Sequence, residues 1–85
     1  MVVGTQFNGS IGASSSGTWF TWGWPADWNM IWTVVPVSPA PGSPQLEWDV
    51  AVERASPGAM TYWITVRNLR PAVMTFELRF AITNI

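Results

Sequence analysis

QLEWDVAVERASPGAMTYWITVRNLRPAVMTFELRFAIT, residues 45–83, alternates apolar and polar side chains in three successive blocks. A period of two is the mark of a strand with one buried face. In Gln45–Arg54, Leu46, Trp48, Val50 and Val52 point one way, and Glu47, Asp49, Ala51 and Glu53 the other. In Met60–Leu69, Met60, Tyr62, Ile64 and Val66 oppose Thr61, Trp63, Thr65 and Arg67. Val73–Thr83 sets Met74, Phe76, Leu78, Phe80 and Ile82 against Thr75, Glu77, Arg79 and Ala81. The connections ASPGA and LRPA are short enough for antiparallel hairpins, so the three blocks predict a meander over Glu47–Thr83.

Pairing through these turns gives one register. It stacks Val52–Tyr62–Phe80, Val50–Ile64–Leu78 and Trp48–Val66–Phe76 on the inner face. It places Ala51–Trp63–Arg79, Asp49–Thr65–Glu77 and Glu47–Arg67–Thr75 on the outer face. A slip of one residue would set apolar side chains against charged ones, so the pattern selects this register. The closing pattern, YWITVRNL followed by FELRFAI, resembles the final hairpin of many immunoglobulin-like sandwiches. That resemblance implies that the two segments pair side by side.

Working toward the N-terminus, Trp28–Val37 reads as a strand apolar on both faces in its second half, which predicts a central position. Pro36 weakens its ladder near the end. Ser38–Pro44, SPAPGSP, predicts an extended surface connection. The two P-x-x-P matches there, Pro36–Pro39 and Pro41–Pro44, lack flanking basic residues and read as loop. Val2–Phe7 and Thr18–Trp22 are weaker strand signals, split by GSIGASSSG. Glycines and seven prolines leave no place for a helix. The expectation is a single all-β domain spanning residues 1–85, a small antiparallel sandwich or barrel-like meander of about five or six strands.

The composition excludes most chemistry. There is no histidine, cysteine or lysine, hence no Ser-His-Asp triad, thiol nucleophile, disulfide, P-loop or Schiff base. No cofactor and no metal site are expected. Glu47, Asp49 and Glu53 share a face with Glu77 in the predicted register, and a glycosidase needs two carboxyls roughly 5–10 Å apart. Arg67 and Arg79 lie on the same face, and salt bridges with them hold the acids ionised. No enzyme is expected. A net charge of −1 gives no attraction to phosphate backbones, so nucleic acid is not a partner. No apolar run reaches the roughly 20 residues of a membrane span. MVVGTQFNGS lacks the basic start and apolar centre of a signal peptide, and the compartment stays open.

What remains is tryptophan. Thr18–Trp32, TWFTWGWPADWNMIW, holds five of the seven. Indole suits core packing, subunit contacts and sugar stacking alike, and Trp32 and Trp48 fit inner positions. Two places depart from the core reading. The turn Gly23–Trp28 predicts Trp24 and Trp28 at a loop tip, a usual binding position on a β scaffold. Trp63 falls on the polar outer face between Ala51 and Arg79, with Asp49 and Glu77 diagonal to it. An aromatic plane flanked by carboxylate and guanidinium suits a sugar ring, while a cation–π pair with Arg79 is the purely structural account. Only 11% of residues are charged while 48% are hydrophobic, so an interface between copies is expected to take part of the apolar excess. The sequence therefore predicts a carbohydrate-binding homo-oligomer with Trp24, Trp28, Trp63, Asp49, Glu77 and Arg79 as ligand contacts. A self-associating structural protein with tryptophan subunit contacts is the other reading.

Overall fold

The computed structural model describes residues 1–37 and 41–85. Six strands follow one another: β1 (Val2–Ile11), β2 (Ser16–Pro25), β3 (Met30–Pro36), β4 (Leu46–Ser56), β5 (Ala59–Asn68) and β6 (Met74–Ile82). They form two antiparallel three-stranded sheets, β1-β6-β3 and β2-β5-β4, and no helix occurs among the described residues. The all-β sandwich expected from the alternation is the observed fold class. Part of the 38–44 connection, Ser38 to Ala40, lies outside the described residues, and Pro41 to Pro44 carry no regular structure.

The β4–β5 hairpin pairs as the alternation dictates. Val52 faces Tyr62, Val50 faces Ile64, Trp48 faces Val66, and Ala51 faces Trp63. The second half of the predicted meander is not formed. After Asn68 the chain leaves its sheet, and β6 enters the other one between β1 and β3. β5 and β6 are therefore each the centre of a sheet, and they pack face to face rather than side by side. This also overturns the hairpin implied by the resemblance. The four most deeply buried large side chains are Ile64 and Val66 of β5 with Phe76 and Leu78 of β6. Two strands with strongly apolar inner rows both gain more burial at the centre of a sheet than at an edge.

The crossing is held by one side chain. Asn68 continues the inner row of β5 and is buried. Its Nδ2 lies within hydrogen-bond reach of the carbonyls of Ala72 at 2.7 Å, Gly12 at 3.0 Å and Ile11 at 3.2 Å. Its Oδ1 accepts the backbone N–H of Arg70 at 2.9 Å. The backbone adds Asn68 N–H to Ser15 O and Ser14 N–H to Arg70 O, both at 2.9 Å. One amide thus fastens the end of β5 to the β1–β2 turn and to the arch before β6.

Two further expectations change. The segment Trp28–Val37 is not central, because β3 is an edge strand with Ile31 exposed on its outer side and Trp32 and Val34 buried on its inner side. Pro36, at its last paired position, fits an edge. The first strand is also longer than Val2–Phe7, because Ile11 reaches the core. At Gly9 an added Cβ would come within 2.5 Å of the Phe76 ring, so the bare backbone there is what lets the end of that ring approach β1 so closely. Val52 faces inward yet stays 58% exposed, since β4 has 11 residues and the facing edge, β3, only 7.

Replacing the Asn68 amide removes a buried network and leaves carbonyls without donors. Asn68→Ala is expected to lower unfolding stability by about 2–3 kcal/mol in urea titration. Asn84→Ala, which breaks two exposed bonds, Nδ2 to Asp27 O at 2.7 Å and Asn29 N–H to Oδ1 at 2.9 Å, is expected to cost about 1 kcal/mol or less because water replaces both. Equal effects at the two positions would refute the special weight given to the crossing.

Candidate functional site

The outer face of β2-β5-β4 is read row by row from its pairings. Ser16, Arg67 and Glu47 form one row; Thr18, Thr65 and Asp49 the next; Phe20, Trp63 and Ala51 the third. Beyond them lie Thr61 and Glu53. Trp63 thus has Ala51 on one side, as expected, and Phe20 rather than Arg79 on the other.

The third row is an open aromatic surface. Phe20 is 57% and Trp63 40% exposed, and their ring centroids lie 5.0 Å apart at 32°. Trp63 Nε1 donates to Glu53 Oε1 at 2.9 Å, which pins the indole and satisfies its polar edge. A carboxylate offers about four lone-pair directions, so Glu53 keeps acceptor capacity beside the ring. On the other flank, the hydroxyls of Thr18 and Thr65 lie 3.0 Å apart. Arg67 donates to Glu47 and Asp49, each at 2.8 Å. Hydrogen bonds with Glu47 first, then Asp49, push the high guanidinium pKa further up.

Trp22, two residues beyond Phe20 on β2, is 73% exposed. Simple alternation would put Phe20, Trp22 and Trp24 on one face. The ladder with β5 instead shifts between Thr21 and Trp24, and Gly23 adopts a φ of +82°. That conformation costs glycine nothing, and the extra residue turns Trp24 inward while Trp22 stays outside.

The site residues expected from the sequence are therefore divided among three places. Trp63 and Asp49 share the outer face of β2-β5-β4. Glu77 and Arg79 lie on the other sheet, on β6, where they pair with each other at 3.1 Å and Thr5 reaches Glu77 at 3.4 Å. The cation–π pair of Arg79 with Trp63 and the gathering of Glu77 with the β4 acids are thereby overturned. The cause is the departure of β6 from the expected sheet. Among the described residues no three His, Cys, Asp or Glu side chains group as a metal site.

Trp24 and Trp28 are half-buried rather than displayed at a tip. They close one end of the sandwich, with Trp24 6.3 Å from Trp28, 5.6 Å from Trp32 and 5.6 Å from Phe80. Trp24 Nε1 donates to Thr21 Oγ1 at 3.0 Å. Trp32 is buried as expected, and its Nε1 has no polar acceptor there. The rings of Trp24, Tyr62 and Phe80 surround it.

Sequence reasoning missed Phe20, Trp22 and Glu53. In β2 both faces carry aromatic residues, Trp19 on one and Phe20 on the other, so alternation could not assign a buried side. The Trp-Gly-Trp run at residues 22–24 was the available signal for the bulge.

Comparison with protein-family models, with curated proteins and with solved structures found no match for this chain. No helix of the described residues is long and apolar enough to cross a membrane.

Burial raises the Tyr62 phenol above its ordinary value of 10.0. The neutral form is favoured in the folded chain, so this contribution to stability is complete below pH 10.0 and lost as pH rises through the raised value. Tyr62 is the only tyrosine, which makes it a clean probe. Phenolate absorbance is expected to appear late and together with unfolding, followed by circular dichroism. Ionisation at the ordinary value with the fold intact would contradict the packing against Trp32.

Proposed function

We propose that this chain is a non-enzymatic carbohydrate-binding module that acts as a homo-oligomer, with the sugar stacked on Phe20 and Trp63. The observation that carries this reading is the exposed ring pair, 5.0 Å apart, beside a carboxylate that already anchors the indole. A sugar ring presents a C–H face and a rim of hydroxyls. The aromatic row supplies a partner for the first, while Glu53, Asp49 and the Thr18–Thr65 hydroxyls supply partners for the second. Because Trp63 is fixed before binding, less side-chain entropy is lost when a ligand stacks on it. Self-association multiplies such weak sites.

The alternative is a structural protein whose exposed aromatic residues make subunit contacts. Its support is that Phe20 and Trp22 stand on an edge strand, where apolar surface also fits a neighbouring chain.

A glycan array followed by calorimetric titration of the hits tests the sugar reading. Trp63→Ala is expected to weaken binding by about 2–4 kcal/mol, in the range of binding hot spots, without loss of fold. Glu77→Gln, on the opposite sheet, should leave the affinity unchanged. Absence of any hit, or equal affinity of parent and Trp63→Ala, would sink the proposal.

A further inference from the structure

No charged side chain precedes Asp27. The fold gathers that opening stretch into β1 and β2, one edge of each sheet. The other two edges are protected in ways that commonly block strand addition: charge, proline and short length. β4 carries Glu47, Asp49, Glu53 and Arg54, and β3 is 7 residues long and ends at Pro36. β1 is interrupted by a bulge between Thr5 and Phe7. β2 runs from Ser16 to Thr21 without bulge, charge or proline, and bears the exposed rings of Phe20 and Trp22.

We propose that a second copy of this chain docks antiparallel on the β2 edge over Ser16–Thr21. Two β2-β5-β4 sheets then join about a two-fold axis into one sheet of six strands. The proposal rests on the oligomeric part of the reading above and places the contact. Charge decides for self-pairing at β2. A two-fold axis through an antiparallel pair sets outward side chains against outward side chains, so Ser16, Thr18 and Phe20 meet the same uncharged set. Applied to β4, the operation sets Glu47, Asp49 and Glu53 against the same acids, and like charges directly opposite are destabilising. Joined at β2, the two Phe20–Trp63 pairs flank one seam. Their indoles then stand on strands three spacings apart, roughly 14 Å across the seam, and are offset along the strand direction as well. Such a surface fits a linear saccharide of several rings better than a single sugar.

Sedimentation equilibrium of the full chain, over a range of concentrations, tests the seam. The parent is expected at no less than twice the 9.4 kDa of one chain. Thr18→Lys, alone or combined with Ser16→Lys, sets cation against cation at the two-fold axis and is expected to raise the dimer dissociation constant about tenfold or more. Ser10→Lys on β1 and Ala51→Lys on β4 should leave the mass unchanged. A parent that stays monomeric overturns the seam and the oligomeric reading together, with sugar binding tested separately. An oligomer that resists the β2 lysines overturns the seam alone. Should those variants fail to fold, hydrogen exchange on the parent decides. Protection that grows with concentration must fall within Ser16–Thr21, and protection elsewhere overturns the proposal.

Discussion

The Asn68 side-chain amide is the constraint on which the arrangement depends. An asparagine on an apolar inner row is costly unless its donors and acceptor are all engaged. Here Nδ2 meets carbonyls of Ile11, Gly12 and Ala72, and Oδ1 takes the N–H of Arg70. Those partners belong to β1, to the turn after it and to the arch before β6. They converge only if β5 ends against the β1–β2 turn and the chain then crosses to the other sheet. A β5–β6 hairpin would separate Asn68 from Ile11 and Gly12 and leave a buried amide unsatisfied, at a cost of about 1–3 kcal/mol. The network makes the crossing the satisfied solution.

That crossing also creates the aromatic face. With β6 removed, the free edge of β5 is taken by β2, and Phe20 occupies the place beside Trp63 that Arg79 would have held. A guanidinium next to the indole would have given a polar patch. A phenyl ring gives a continuous apolar surface. The same exchange moves Glu77 and Arg79 to the opposite side of the molecule, where they neutralise each other. Local pairing choices at the core thus set the chemistry of both outer faces.

Alternation made much of this legible. The β4–β5 register and the outward position of Trp63 follow from the period of two and from ASPGA as a tight turn. Alternation says which face a residue takes, but not which strand lies beside it. LRPA is compatible with a hairpin or an arch, and only the polar Asn68 at an inner position distinguished them. Charge was equally indirect. The acids on β4 were visible in the sequence, but their value as protection for an edge required knowing that β4 is an edge.

The exposed face is not a remnant of incomplete burial. The accessible surface of 5002 Å² matches the roughly 5,000 Å² expected for a compact chain of this mass. The chain as a whole therefore leaves an ordinary amount of surface in water, and the exposed rings are part of it. Burying one such ring is worth about 1.5–3 kcal/mol, a large term for a small domain without disulfides. Removing the bulge after Thr21 would restore simple alternation and leave Trp24 beside Trp22 on the outside. The bulge instead divides the pair, sending Trp24 into the end cluster with Trp32 and leaving Trp22 exposed. The backbone thus turns one indole inward and leaves the other in water, and the outward rings of Phe20, Trp22 and Trp63 are the apolar surface on which the proposed binding reading rests.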